Sequence, residues 1–127
     1  MAGSVKERPK HLNLFEIKQP LPAVMSILHR ISGAGLFLML PLLIWLFGLS
    51  LQSPESFEAF KATVAHPIVK LLLLGLLWAY LHHFCMGVRI LLIDIHVGVE
   101  KAPARKSALA VLVVSLALTV ILGAASW

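Results

Sequence analysis

A single cysteine, Cys85, stands in the chain of 127 residues, so no intrachain disulfide can form. Its neighbours are apolar, and it reads as a small buried hydrophobe and not as a reactive thiol. The same scarcity leaves no cysteine cluster of the kind that ligates an iron–sulfur centre, and no flavin-binding motif is present. Charge is thin too. Asp, Glu, Lys and Arg make up 13% of the chain, about half the share of a soluble domain. From Ile31 through Pro54 there is no formally charged residue. Internal repeats and low-complexity tracts are absent. No signal peptide is expected, because "MAGSVKERPKHLNLFEIKQPLP" is polar and interrupted by proline, with no cleavage pattern after an apolar core. Nor is that stretch Arg/Ser-rich and acid-poor, as a mitochondrial transit segment would be.

What the chain does have is hydrocarbon: 59% of its residues are hydrophobic, and its mean hydropathy is +0.90. A helix that crosses a bilayer needs about 20 apolar residues. Three stretches meet that need, at about 27–51, 67–95 and 107–127. The expected fold is all-α, an integral membrane bundle of three transmembrane helices forming one domain over 1–127, with 1–24 as a polar N-terminal segment. A soluble binding module is excluded. Pro20 and Pro22 are expected to break the chain ahead of the first span. Between the first two spans, Ser53 is a candidate helix cap and Pro54 suits a first turn. Glu55 and Glu58 suit the positive end of a helix dipole, so a short amphipathic helix is expected there. Pro103 should mark the turn into the third span. Three helices enclose little interior, so polar groups inside the spans should face a partner chain.

The net charge of +5 is unevenly placed. Lys6, Arg8, Lys10, Lys18 and Arg30 precede or open the first span. The first connection carries Glu55, Glu58 and only Lys61, while the second carries Lys101, Arg105 and Lys106, with Arg89 just upstream. Lys and Arg collect in cytoplasmic loops, so the N-terminus and the second connection should be cytoplasmic. The cations sit at membrane margins and not along a stripe, which argues against nucleic acid as a partner.

Ionisable residues inside a span are expensive, by at least about 2.5–3.5 kcal/mol at the centre, and mark functional sites. The second span contains "YLHHFCMGVRILLIDIH". His83, Gly87, Ile90 and Asp94 follow at helical spacing and share one face. A glycine one turn from a histidine leaves a flat notch in which a macrocycle could lie, its iron bound through a ring nitrogen. The competing reading is a histidine hydrogen-bonded to a neighbouring helix, with glycine serving close packing, and the spacing does not decide between them. His82 points about 100° away and is read as an interhelical hydrogen-bonding or lining residue. The first span opens on "SILHRISG", where Ser26 and Arg30 are i, i+4 neighbours with His29 beside them. The spans run in opposite directions, and His83 lies about 16 Å deeper than Asp94 at 1.5 Å per residue. Propionates of a haem at that depth would reach towards Arg30 or His29. The plainer readings are a snorkelling arginine and a capping or packing serine.

These residues carry a resemblance. "RPKHLNLFEIKQPLPAVMSILHRISGAGLF" is similar to the start of the cytochrome b anchor subunits, the C subunits, of succinate dehydrogenase. Arg8-Pro9 is followed by Ser26, Ile27, His29, Arg30, Ser32 and Gly33, and a second signature reads His83, Gly87, Arg89 and Asp94. Family members often carry a histidine directly after that arginine; here it is Ile90, and that histidine is not the family's axial ligand. The resemblance implies a membrane-anchor subunit of succinate:quinone oxidoreductase (respiratory complex II), with a fumarate reductase anchor or a haemless structural anchor as alternatives. It implies a second membrane anchor sharing a haem b, a flavoprotein carrying FAD, and an iron–sulfur subunit with its clusters. It implies ubiquinone as the electron acceptor, and it admits a trimer of heterotetramers. His83 would be the axial ligand to the haem iron. Ser26 and Arg30 would form this chain's share of the quinone site, and His29 and Arg30 would meet the haem propionates. The expected location is the bacterial inner membrane.

Overall fold

The structure, a computed structural model, describes residues 13–127. Arg8-Pro9 and the cations Lys6, Arg8 and Lys10 lie outside the described residues. Four helices follow in order: α1 (Leu21–Leu51), α2 (Pro54–Ala65), α3 (Pro67–Asp94) and α4 (Lys101–Ser126). Among the described residues there is no strand. Three of the helices, α1, α3 and α4, are long and apolar enough to cross a membrane.

The helices α1 and α4 begin before the apolar stretches they carry. Pro20 is the residue before α1 and Pro22 lies in its first turn, so the prolines start the helix and do not interrupt it. A first-turn proline loses nothing, because its missing N–H would have had no partner and its φ already suits a helix. Likewise, α4 begins at Lys101, and Pro103 lies in its first turn and not in a linker. Lys101, Arg105 and Lys106 disguise that turn, since cations at a helix N-terminus oppose its dipole. The short α2 is built as its sequence suggests. Ser53 Oγ accepts from Ser56 N–H at 3.1 Å, and Ser56 Oγ accepts from Ser53 N–H at 2.9 Å. The Ser56 hydroxyl also donates to the Leu49 carbonyl at 2.8 Å, which ties α2 back to the end of α1. Its own backbone N–H at the start of α2, with the Ser53 hydroxyl second, holds the Glu55 carboxyl below the usual range.

Named contacts set the packing. Gly33 of α1 lies against His83 of α3, while Arg89 of α3 meets Ala104 and Ser107 of α4. At the far end of the same pair, Leu74 lies against Gly123. Residues 74 and 89 therefore oppose 123 and 104–107, and α3 and α4 run antiparallel. The terminal Trp127 ring lies 5.8 Å beneath the Lys70 ammonium, joining the start of α3 to the end of α4. Along α4 the buried face is Ala108, Val111, Ser115, Thr119 and Gly123, a small-residue stripe that lets α3 approach closely. The Ser115 and Thr119 hydroxyls donate to carbonyls one turn back, so they enter the interface already paired.

The buried apolar set is small: Met25, Leu46, Leu81, Met86, Ala108 and Val111. Only 6% of the most apolar window of α1 is buried, against 28% of that of α4. Thus α1 is the helix most dependent on lipid or another chain for cover. The expectation that polar groups in the spans face a partner chain is corrected at Ser32, His82, Arg89, Ser115 and Thr119, all buried by the chain's own helices, with His82 and Arg89 only 0% and 7% exposed.

Candidate functional site

The site is assembled across α1 and α3 by His29, Ser32, Gly33 and His83. The α1 helix places Ser26, His29, Arg30 and Gly33 on one face, at helical spacing. The imidazoles of His29 and His83 stack, with centroids 4.1 Å apart and planes at 12°. His83 Nδ1 lies 3.0 Å from the His29 carbonyl oxygen and 3.2 Å from Ser32 Oγ. A carbonyl can only accept, so this contact places the proton on Nδ1. The Ser32 hydroxyl donates to the same carbonyl at 2.8 Å, leaving its oxygen free to accept from Nδ1–H. Among the described residues Nε2 has no hydrogen-bond partner, and it keeps its lone pair.

That is the tautomer a metal-ligating histidine needs. One ring nitrogen is held by a backbone carbonyl, which fixes the ring's orientation and raises the basicity of the other. Stacking by His29 covers a ring face and not the in-plane lone pair. The flanking space also fits a flat ligand. His83 is half-buried, and a Cβ built on Gly87 would meet nothing within 4 Å. The residues present therefore suit an axial haem ligand at His83.

Gly87 borders open space, as a notch beside His83 requires, and the ring itself needs Gly33, where a Cβ would come to 2.8 Å from His83 Cε1. Ser32 and Gly33 are thus site residues that spacing alone did not single out. The signal was available in their place three and four positions after His29. Ser26 is half-buried and Arg30 exposed, one to two turns towards the N-terminal end of the same face. Among the described residues neither is committed to an ion pair or hydrogen bond. Arg89 does not join this group, since it turns inward to α4.

His82 is fully buried beside the Met25 backbone of α1, a lining position at which neither ring nitrogen closes a well-formed hydrogen bond. Its ring tilts against Trp78 at 5.3 Å, and the indole N–H is likewise unpaired. Exchanging an unpaired buried polar group for hydrocarbon of similar volume removes a desolvation cost. His82→Leu is therefore expected to keep or raise the thermal midpoint of the detergent-solubilised protein. A destabilisation above about 1 kcal/mol would instead reveal a partner for the imidazole.

Three apolar spans enclosing a half-buried, ligand-ready histidine define an all-helical integral membrane protein with a candidate prosthetic-group site. The sequence places it further. Residues 4–122 match the model of the succinate dehydrogenase/fumarate reductase transmembrane subunit, and the chain belongs to that family. It is similar to the succinate dehydrogenase cytochrome b556 subunit of Coxiella burnetii, with 36% identity over 95% of this chain and 98% of that one. The cytochrome b556 subunit of Paracoccus denitrificans is 32% identical over 87% of this chain and 84% of its own. That of Rickettsia typhi is 29% identical, covering 91% and 90%.

Proposed function

We propose that this chain is a membrane-anchor subunit of succinate:quinone oxidoreductase that supplies one axial ligand to a haem b and part of a ubiquinone site. The observation that carries this reading is His83, with Nδ1–H held at 3.0 Å by the His29 carbonyl and Nε2 unengaged beside the open flank of Gly87. When bound, haem supplies reversible one-electron storage. The chain's own part is to hold Nε2 deprotonated and aimed, with Ser32 as the hydroxyl that fixes the acceptor carbonyl. His29 and the Arg30 guanidinium lie on the same helix face and suit the carboxylates of propionates. The bundle encloses no four-sided chamber of its own, so a second anchor chain supplies the opposite ligand. Flavoprotein and iron–sulfur subunits, carrying FAD and clusters, deliver the electrons from succinate. The cation-rich end, with Lys18, Arg30, Lys101, Arg105 and Lys106, faces the cytoplasm of a bacterial inner membrane.

The test is His83→Ala in the assembled complex, read as a reduced-minus-oxidised spectrum against flavin content. The b-type signal is expected to fall by at least about tenfold, because the loss is of a ligand and not of a supporting contact, which alone costs about 10–100-fold in metal affinity. A signal of unchanged position and intensity removes His83 from the ligand set.

A further inference from the structure

Arg89 presents an unbalanced charge inside the bundle. It is 7% exposed, and its acceptors are all neutral: Ser107 Oγ at 2.9 Å, the Ala104 carbonyl at 3.1 Å and Met86 Sδ at 3.9 Å. Among the described residues it has no carboxylate partner. A guanidinium held away from water without a counter-charge is costly, and the cost falls sharply once an anion reaches it. What remains of its surface opens onto two adjoining cavities in the α3–α4 seam. One, of about 310 Å³, is walled by hydrocarbon, including Phe84, Val88, Val111 and Val114. The other, of about 440 Å³, runs towards the α3–α4 connection and has Lys106 among its lining residues. Arg89, Leu92, Ser107 and Ala110 border both.

We propose that this seam binds one anionic phospholipid, its phosphate against Arg89 and Lys106 and one acyl chain along the apolar groove towards Val114. The two halves of the site ask for an amphiphile. A free phosphate would satisfy the cations and leave the groove unused, whereas an apolar helix would fill the groove and leave the guanidinium uncompensated. Depth agrees. Arg89 lies five residues before Asp94, at the end of α3, or about 7.5 Å along the helix, close to the membrane margin where headgroup phosphates lie. The seam lies on the α4 side of α3, and the proposal does not depend on haem at His83.

The assembled complex, stripped of loosely held lipid in detergent and offered phosphatidylglycerol or phosphatidylcholine, tests this by native mass spectrometry. Each cation near a headgroup is worth about fivefold in affinity, so phosphatidylglycerol should be retained more than tenfold better. Lys106→Gln should reduce that preference about fivefold. Ala110→Phe, which fills the groove where the two cavities meet, should abolish retention. Both positions are exposed, and the ratio of haem to flavin should stay unchanged in both variants. Equal retention of the two lipids, or full preference in both variants, overturns the proposal. So does displacement of the lipid by millimolar inorganic phosphate, which would make the site one for a free anion. A photo-crosslinker at Val88 should label lipid; labelling of another protein chain would show that a partner helix occupies the groove.

Discussion

Gly33→Val should yield an assembled complex with little or no b-type absorbance. The reason is steric and local. A Cβ at residue 33 would stand 2.8 Å from His83 Cε1 and 3.3 Å from Nδ1, inside contact distance of a ring that cannot retreat freely. The His29 carbonyl and Ser32 Oγ hold Nδ1, and the His29 imidazole covers one face. To admit the valine, the imidazole must swing on its Cβ, which breaks the Nδ1 hydrogen bond and carries Nε2 off its line. Overpacking of this kind costs about 1–3 kcal/mol, enough to displace one side chain without unfolding a helix pair. Loss of a ligand's supporting hydrogen bond costs metal affinity about 10–100-fold, and misaiming the nitrogen adds to it. The haem-to-flavin ratio should therefore drop by at least about tenfold in Gly33→Val and less in Gly33→Ala, which brings the same Cβ against the ring without the two further methyls of valine. Gly87→Ala provides the contrast. Its new methyl meets nothing within 4 Å among the described residues, so any loss of haem there reports on the ligand or on the partner. Full haem content in Gly33→Val would mean that the His83 ring is not held as the structure shows it.

The three spans were legible because hydrocarbon thickness sets a length that few other constraints imitate. The ends were not. Pro22 and Pro103 read as breaks, yet each occupies a first helical turn, where proline is cheap. Sequence patterns cannot tell these two uses of proline apart without knowing whether a helix follows immediately. The site was legible in part. His83 and His29 stood out as imidazoles in oil, but Gly33 looks like any small residue of a membrane helix until the facing residue is known. Its role depends on a residue fifty positions away, and only the packing of α1 on α3 brings the two together. The same limit applies to His82 and Arg89. Their spacing on α3 was plain, but their inward orientation follows from packing: α4 closes over Arg89, and the Met25 backbone of α1 lies beside His82. A polar residue in a span marks something worth holding, while packing decides whether a ligand, a partner chain or the same chain holds it.

Ser26 and Arg30 carry the second large prediction, because on the site face of α1 neither side chain makes an ion pair or hydrogen bond among the described residues. A quinone carbonyl gains negative charge as it is reduced. A hydroxyl and a guanidinium fixed beside it stabilise that charge at the moment it develops, in a region from which water is largely excluded. Arginine is suited to this because it stays protonated throughout and presents a planar fork of donors. Removing one such donor typically costs about 100- to 1,000-fold in rate. Arg30→Leu should therefore cut succinate-dependent quinone reduction about 100-fold, while reduction of a dye that takes electrons ahead of the membrane stays near normal. Ser26→Ala should lower the same rate by a smaller factor. Arg30→Lys should recover part of the loss, since it restores the charge without the fork. If Arg30 also meets the propionates, Arg30→Leu should shift the haem midpoint potential as well, a readout that quinone binding alone would not move. Normal quinone turnover together with an unaltered haem spectrum in Arg30→Leu would reduce the residue to a membrane-edge anchor, and both assignments on this helix face would have to be withdrawn.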